Sequence, residues 1–171
     1  MRMKEQWMTL LGDKESQECE NQNSYILVVD DEPDLVTFYK ETLESAGYKV
    51  LCATDGVEAL IILKREQNRI SLVLSDLTMP IMDGIELYKN IVMEFTYFPF
   101  VVLTAHEETE KLQAFLRIGV IDYIVKPIKP SDLVKKIDIW LEVARREKEE
   151  FLNEEKKSQV RMERLLRLSN A

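Results

Sequence analysis

The chain is poor in the residues that mark several common functions. Two cysteines occur in 171 residues, Cys19 in a polar N-terminal stretch and Cys52 in an apolar one. They make neither a disulfide framework nor a metal-ligand spacing, which reads as a reducing compartment. There are five glycines, and no Walker sequence or cyclase-like glycine motif among them. No apolar run approaches the roughly 20 residues of a membrane helix. The N-terminus "MRMKEQWMTLLGDKESQ" has only a short apolar patch and no cleavage-like site, so no secretory signal is expected. The expected location is the cytoplasm, away from membranes. The net charge is -8, so the chain lacks the basic surplus that displaces counterions from DNA, and direct nucleic-acid binding is not expected. Histidine occurs once, as His106 in "HEET". It falls in an expected loop after a strand, where a solvated surface histidine is the plain reading.

What is present supports a packed core. Hydrophobic residues make up 46% of the chain and charged ones 32%, unlike the pattern of disorder. The length fits one domain with an appendage. Residues 1–23 read as a mobile tail, with room for a short helix around Trp7–Leu11. Residues 24–144 read as the domain and 145–171 as a helical extension. Within the domain two patterns alternate. Short apolar runs at Tyr25–Val29, Lys49–Ala53, Leu72–Leu74, Phe100–Leu103 and Tyr123–Val125 predict strands. Helical spacing predicts helices over Leu35–Ala46, Val57–Leu63, Ile85–Met93 and Leu112–Ile118, and a long one from near Pro130. Gly47 and Gly119 stand at expected helix ends. Strands such as "ILVV" and "FVVL" are apolar on both faces, which predicts a parallel sheet covered by helices on both sides. The expected fold is a doubly wound α/β sheet of five strands in the order 2-1-3-4-5, with its site beyond the strand C-termini.

That fold makes a site by itself. Parallel strands share one C-terminal edge. Asp30 and Asp31 follow the first strand, Asp76 the third, Thr104 ends the fourth and Lys126 follows the fifth. Carboxylates at about 4 Å repel by roughly 4 kcal/mol per pair at an effective dielectric near 20. Lys126 offsets part of this. A hard divalent ion would offset more, and Mg2+ characteristically binds one or two carboxylates with phosphate and water. A carboxylate can attack phosphorus, while a metal, a lysine and a hydroxyl stabilise the equatorial oxygens.

The motifs "VVDDEPD", "SDLTMPIMDG", "VLTA" and "DYIVKP" together make residues 24–140 resemble the receiver domain of two-component response regulators. The resemblance implies that Asp76 accepts phosphate from a histidine kinase or phosphotransfer protein. It implies Mg2+ (or Mn2+) held by Asp31, Asp76 and the backbone carbonyl of Thr78, with Asp30 acting through water. Lys126, Thr104 and Ala105 would stabilise the phosphoryl group. Thr104 and Tyr123 would form the switch, and Thr78 and His106 would tune the phosphate lifetime. A cis Lys126-Pro127 bond is also implied. The protein is then a signalling module, with chemistry at Asp76 only. An aspartyl-phosphate phosphohydrolase of the haloacid-dehalogenase class would want a second Asp where Glu32 stands. A flavin carrier would be repelled by "DDEPD".

The last helix is unusually long. No Pro or Gly interrupts 131–171, and a helix to Leu168 would be about 55 Å long on a domain about 35 Å across. A heptad-like seam runs through Ile137, Leu141, Ala144, Phe151, Ser158, Met162 and Leu165, interrupted by Lys148 and Glu155. Oppositely charged residues alternate around it, as on a solvated face. The expectation is a coiled-coil homodimer, read as parallel, or a signalling helix leading to an output module of a longer regulator.

Overall fold

The computed structural model describes residues 24–95, 98–105 and 116–169, with side chains through residue 162. The expected N-terminal tail, Cys19, His106 and most of the Leu112–Ile118 helix lie outside the described residues.

Strand β1 (Tyr25–Val29) is followed by helix α1 (Pro33–Ser45), β2 (Lys49–Ala53) and α2 (Gly56–Glu66). After a short 3-10 turn come β3 (Ile70–Asp76), α3 (Gly84–Glu94), β4 (Phe100–Thr104), β5 (Asp122–Val125) and the long helix α4 (Pro130–Ser169). All strands are parallel, in the order β2-β1-β3-β4-β5. This is the doubly wound order expected from the alternation of patterns.

Successive strand residues point to opposite faces, and here both faces are apolar. Leu27, Val29, Val73, Phe100 and Val102 pack with Ala59 and Leu63 of α2 and Leu87 and Ile91 of α3. Ile26, Val28, Leu72, Leu74, Val101 and Leu103 pack with Tyr39 and Leu43 of α1 and Leu133, Ile137 and Trp140 of α4. Two core layers therefore enclose the sheet.

Local chemistry sets the helix ends. Pro33 opens α1, where its missing N–H costs nothing. Asp34 lies in the first turn rather than at the N-cap, which is Glu32. Asp55 accepts from the Glu58 N–H at 2.8 Å and Asp83 from the Glu86 N–H at 2.7 Å, capping α2 and α3. At the end of α1, Gly47 takes φ +93°, and the Tyr48 N–H donates to the Leu43 carbonyl at 3.1 Å, closing a Schellman turn.

Helix α4 runs 40 residues without a break, about 60 Å at 1.5 Å per residue. It starts beside the C-terminal sheet edge and runs back along the sheet. Near the opposite edge, the Trp140 indole N–H donates to Asp122 Oδ2 at 3.1 Å, at the first residue of β5. There the Tyr48 hydroxyl also donates to Asp138 Oδ1, just before β2. The helix thus leaves the domain at the pole away from the strand C-termini. From Arg146 to Met162 every residue except half-buried Phe151 is exposed. Arg145 bridges Glu142 at 2.8 Å and Glu149 at 2.6 Å on the solvated surface.

The sequence seam divides here. Ile137 (0% exposed) and Ala144 (5%) face their own domain, so this part belongs to the intramolecular core. Only the portion beyond Ala144 projects.

Candidate functional site

The sheet register gathers the predicted residues. Val29 pairs with Ser75, Asp76 with Leu103, and Thr104 with Val125. Asp30, Asp76, Thr104 and Lys126 therefore meet at one edge. Asp30, Asp76 and Thr104 are all buried.

Lys126 is the centre of the arrangement. Its Nζ donates to Asp30 Oδ2 at 2.7 Å and is in close contact with Asp76 Oδ1. The second oxygen of each carboxylate accepts from the backbone. Asp30 Oδ1 takes the Glu32 N–H at 3.0 Å, and Asp76 Oδ2 takes the Thr78 N–H at 2.7 Å. The lysine is itself positioned by its own N–H, which donates to the Thr104 carbonyl at 2.7 Å. The Lys126-Pro127 peptide is cis.

The electrostatics follow from burial and this pairing. Burial pushes the Asp76 carboxyl above its ordinary value. Lys126 and the Thr78 N–H oppose that shift, and Asp30 adds to it. Burial pulls the Lys126 ammonium down, but its contacts with Asp30 and Asp76 outweigh this and hold it above its ordinary value. Tyr39 of α1 feels the same charges. Its phenol is pushed up to about 12 by burial first, with Lys126 opposing and Asp30, Asp76 and Glu32 adding.

The other predicted residues sit around this centre. Asp31 and Thr78 are exposed beside it, so two carboxylates rather than three are buried together. Ala105 is exposed directly after β4, and Tyr123 is half-buried on β5.

The loop from Asp76 to α3 is tightly held. The Leu77 N–H donates to the Leu103 carbonyl at 2.8 Å, and the Gly84 N–H to the Leu77 carbonyl at 2.9 Å. Ile81 adopts φ +69°, an unfavourable conformation for a β-branched residue. Met82 packs over Gly56, where a Cβ would come within 2.7 Å of its side chain. Sequence reasoning missed Tyr39, which reads simply as part of an apolar helix stripe. It also missed Asp122, whose partner Trp140 lies 18 residues away on another element.

The donors at this edge suit a hard cation: two carboxylates, with exposed Asp31 and the Thr78 backbone alongside. Among the described residues no three His, Cys, Asp or Glu side chains form a ready cation cage. Mg2+ needs no such cage, because it keeps several waters and takes one or two carboxylates.

The sequence profile of the response regulator receiver domain matches residues 26–138. The alkaline phosphatase synthesis transcriptional regulatory protein of Bacillus subtilis (strain 168) is 38% identical over 115 residues, 67% of this chain and 47% of that protein. The chain thus spans about half the length of that relative, and less of some others. A receiver domain protein from Clostridium thermocellum superposes with a TM-score of 0.66 at 28% identity, covering 74% of this chain and 97% of that one. The CheX–CheY–BeF3–Mg2+ complex from Borrelia burgdorferi gives a TM-score of 0.64 at 29% identity, covering 67% of this chain and 86% of that one. Among the described residues, no helix is long and apolar enough to cross a membrane.

Proposed function

The chain belongs to the response regulator receiver family of two-component systems, and on that premise we propose that Asp76 is its phosphoacceptor. The observation that carries this reading is the shared Lys126 ammonium, held between buried Asp30 and Asp76 at the sheet edge. A lone carboxylate at a strand end would read as a cap. A buried one facing a fixed cation is placed for charge that develops during reaction.

In the proposed step an Asp76 oxygen attacks the phosphorus of a phosphohistidine on a kinase or phosphotransfer protein. The O–P bond forms and the P–N bond breaks. The electron pair goes to the departing imidazole nitrogen, which leaves protonated or takes up a proton from water. Lys126 shifts its contact from the Asp76 carboxylate to a phosphoryl oxygen. Asp31, Asp76 and the Thr78 carbonyl would hold Mg2+, with Asp30 acting through water. When bound, the ion supplies positive charge to the phosphoryl oxygens. The presence of Mg2+ and a phosphoryl mimic in the Borrelia complex supports this assignment.

Thr104, buried at the end of β4, would turn its hydroxyl to the phosphoryl group, and Ala105 would offer its backbone N–H. Tyr123 would follow by moving inward from its half-buried position. Thr78 and His106 would tune how long the phosphate survives, by controlling the approach of water. The readout is a change in protein contacts, with homodimerisation through α4 favoured by its exposed projection.

The test is modification by acetyl phosphate with Mg2+, read by intact mass, and beryllofluoride binding, read by Trp and Tyr fluorescence. Wild type should respond and Asp76→Asn should not. Equal modification of both proteins would defeat the assignment.

A further inference from the structure

Helix α4 leaves the domain with one face still turned to the side that the sheet occupies. Ile137 and Ala144 face the domain. Steps of three and four carry that face on through Lys148, Phe151, Glu155, Ser158 and Met162. Phe151 is half-buried, and Leu152 beside it is 43% exposed. Going away from the domain, the face therefore presents a cation, an apolar pair and an anion. Arg145 nearby is held by Glu142 and Glu149, whereas among the described residues no ion pair reaches Lys148 or Glu155.

The chain supplies its own occupant at this corner. Tyr25, the first residue of β1, pairs with Lys49. Tyr48, one residue before Lys49, donates its hydroxyl to Asp138 of α4. The N-terminal segment thus enters the domain beside the place where α4 leaves it. Its sequence matches the helix face. Met3, Trp7, Leu10 and Leu11 recur in steps of three and four before Gly12, the pattern of a short amphipathic helix. Residues 1–5 are net positive through Arg2 and Lys4, and residues 13–20 net negative through Asp13, Glu15, Glu18 and Glu20. The direct path back from β1 runs antiparallel to α4. It puts the acidic end nearest the domain, beside Lys148, and the basic end farther out, toward Glu155. With Leu11 level with Leu152, equal helical rise sets Lys4 one turn beyond Glu155, within reach of its long side chain. The residues between Leu11 and Ser24 span up to about 40 Å when extended, and Leu152 lies only about 12 Å beyond Ala144 along the helix. None of these contacts needs the part of α4 that is buried in the domain.

We propose that residues 3–11 lie antiparallel on the projecting part of α4 and cover Phe151 and Leu152, as an intramolecular strap whose flanking charges meet Lys148 and Glu155. Attachment at β1 sets the direction, and the order of charges agrees with it. The strap occupies the face through which a second copy would pair, so it competes with the homodimer proposed above. That competition rests on the dimer reading; the cover itself does not.

The experiment uses the full chain with Cys19 and Cys52 replaced by serine. Leu11→Cys is combined with Leu152→Cys or with Asn153→Cys, which lies at the same height on the opposite face of the helix. Copper-phenanthroline oxidation is followed by non-reducing gel and intact mass. The strap predicts an intrachain disulfide at Leu152→Cys about tenfold faster than at Asn153→Cys, at a rate independent of protein concentration. Reversing the helix charges with Lys148→Glu and Glu155→Lys should remove most of that preference, and adding Lys4→Glu and Glu15→Lys should restore it. Equal rates at the two positions would mean a loose tether and overturn the cover. A product that joins two chains would overturn its intramolecular form, and a preference blind to the charge reversal would overturn the antiparallel placement. Light scattering across a concentration series then compares the full chain with one lacking residues 1–15. Competition predicts about tenfold tighter dimerisation without the segment, and an unchanged dissociation constant overturns it. A chain that stays monomeric without the segment defeats the dimer reading and the competition together, and the disulfide rates then decide the cover alone.

Discussion

Gly84 lies so close to Asp76 that the Cβ of any other residue would overlap the Asp76 carbonyl oxygen and approach Leu77 Cα to 3.2 Å. The start of α3 is thereby pressed against the strand end that carries the proposed acceptor. Gly84→Ala should destabilise the domain by about 2 kcal/mol, because backbone on both sides must give way. It should also slow acetyl phosphate modification, since Asp76 moves with its carbonyl. Gly47→Ala is the contrast. There a Cβ meets nothing within 4 Å, but φ is +93°, so the cost should be about 1 kcal/mol from backbone strain, with phosphorylation unchanged. Urea titrations and modification rates of the two variants check this. Similar modification rates would show that Gly84 has no part in placing the acceptor.

Asp76, the proposed acceptor, carries a stability cost. Burial holds its pKa above 3.8 in the folded chain, against the pull of Lys126 and the Thr78 N–H. A raised carboxyl pKa means that the fold prefers the protonated form. Its favourable contribution is complete below 3.8 and is lost as pH rises through the folded value. At neutral pH the ionised group opposes folding, so Asp76→Asn should raise the melting temperature by about 3 °C in a metal-free buffer. The gain should shrink as the pH is lowered toward 3. A lower melting temperature for Asp76→Asn at pH 7 would show that its pairing with Lys126 outweighs burial.

Much of this site was legible because two rules of sequence coincide. Strands β1 and β2 are bounded as their apolar runs are, since both faces of the sheet are covered and polar residues begin where the strands end. Strand β3 extends beyond its apolar run to Asp76, because the ladder continues through Ser75 and the carboxylate. What spacing could not show is which of two adjacent acids turns inward. Asp30 is buried and Asp31 exposed, a choice made by the turn after β1 and by Lys126 arriving from β5. The seam of α4 was ambiguous for another reason. Over three turns a helix facing its own sheet and a helix facing a second copy show the same period. Ile137 and Ala144 therefore looked like the continuation of a coiled coil, although they pack into the domain.

Tyr39 links the core beneath α1 to the charges of the site. Its phenol is held at about 12, against an ordinary 10.0, chiefly by burial. A raised phenol pKa contributes stability that is full below 10.0 and is lost as pH rises through about 12. Lys126, also raised, loses its contribution at alkaline pH in wild type and variant alike. Tyr39→Phe removes only the tyrosine's share. Between about pH 9 and pH 11.5, its urea midpoint should therefore fall less steeply than that of wild type. Parallel slopes would mean that Tyr39 ionises as freely in the fold as in the unfolded chain.

Trp140 anchors the long helix where it leaves the domain. Its ring is buried at 3% exposure, its N–H donates to Asp122 Oδ2 at 3.1 Å, and the Lys136 ammonium sits 5.3 Å from the ring centroid and 3.4 Å from the same carboxylate. Trp140→Phe keeps most of the packing and removes the hydrogen bond. It should cost about 1.5 kcal/mol, whereas Trp140→Ala should cost about 3–5 kcal/mol from the cavity as well. The loss should be local before it is global. Amides from Leu133 to Ala144 should exchange faster in Trp140→Phe while those of β1 keep their protection, because the far end of the packed helix opens without the sheet. Asp122→Asn, which weakens the same contact from the strand side, should give the same pattern. If amide exchange in the helix is unchanged in both variants, the apolar contacts of Leu133 and Ile137 hold it unaided. A movement at the Lys126 end would then reach the projecting segment through those two residues alone.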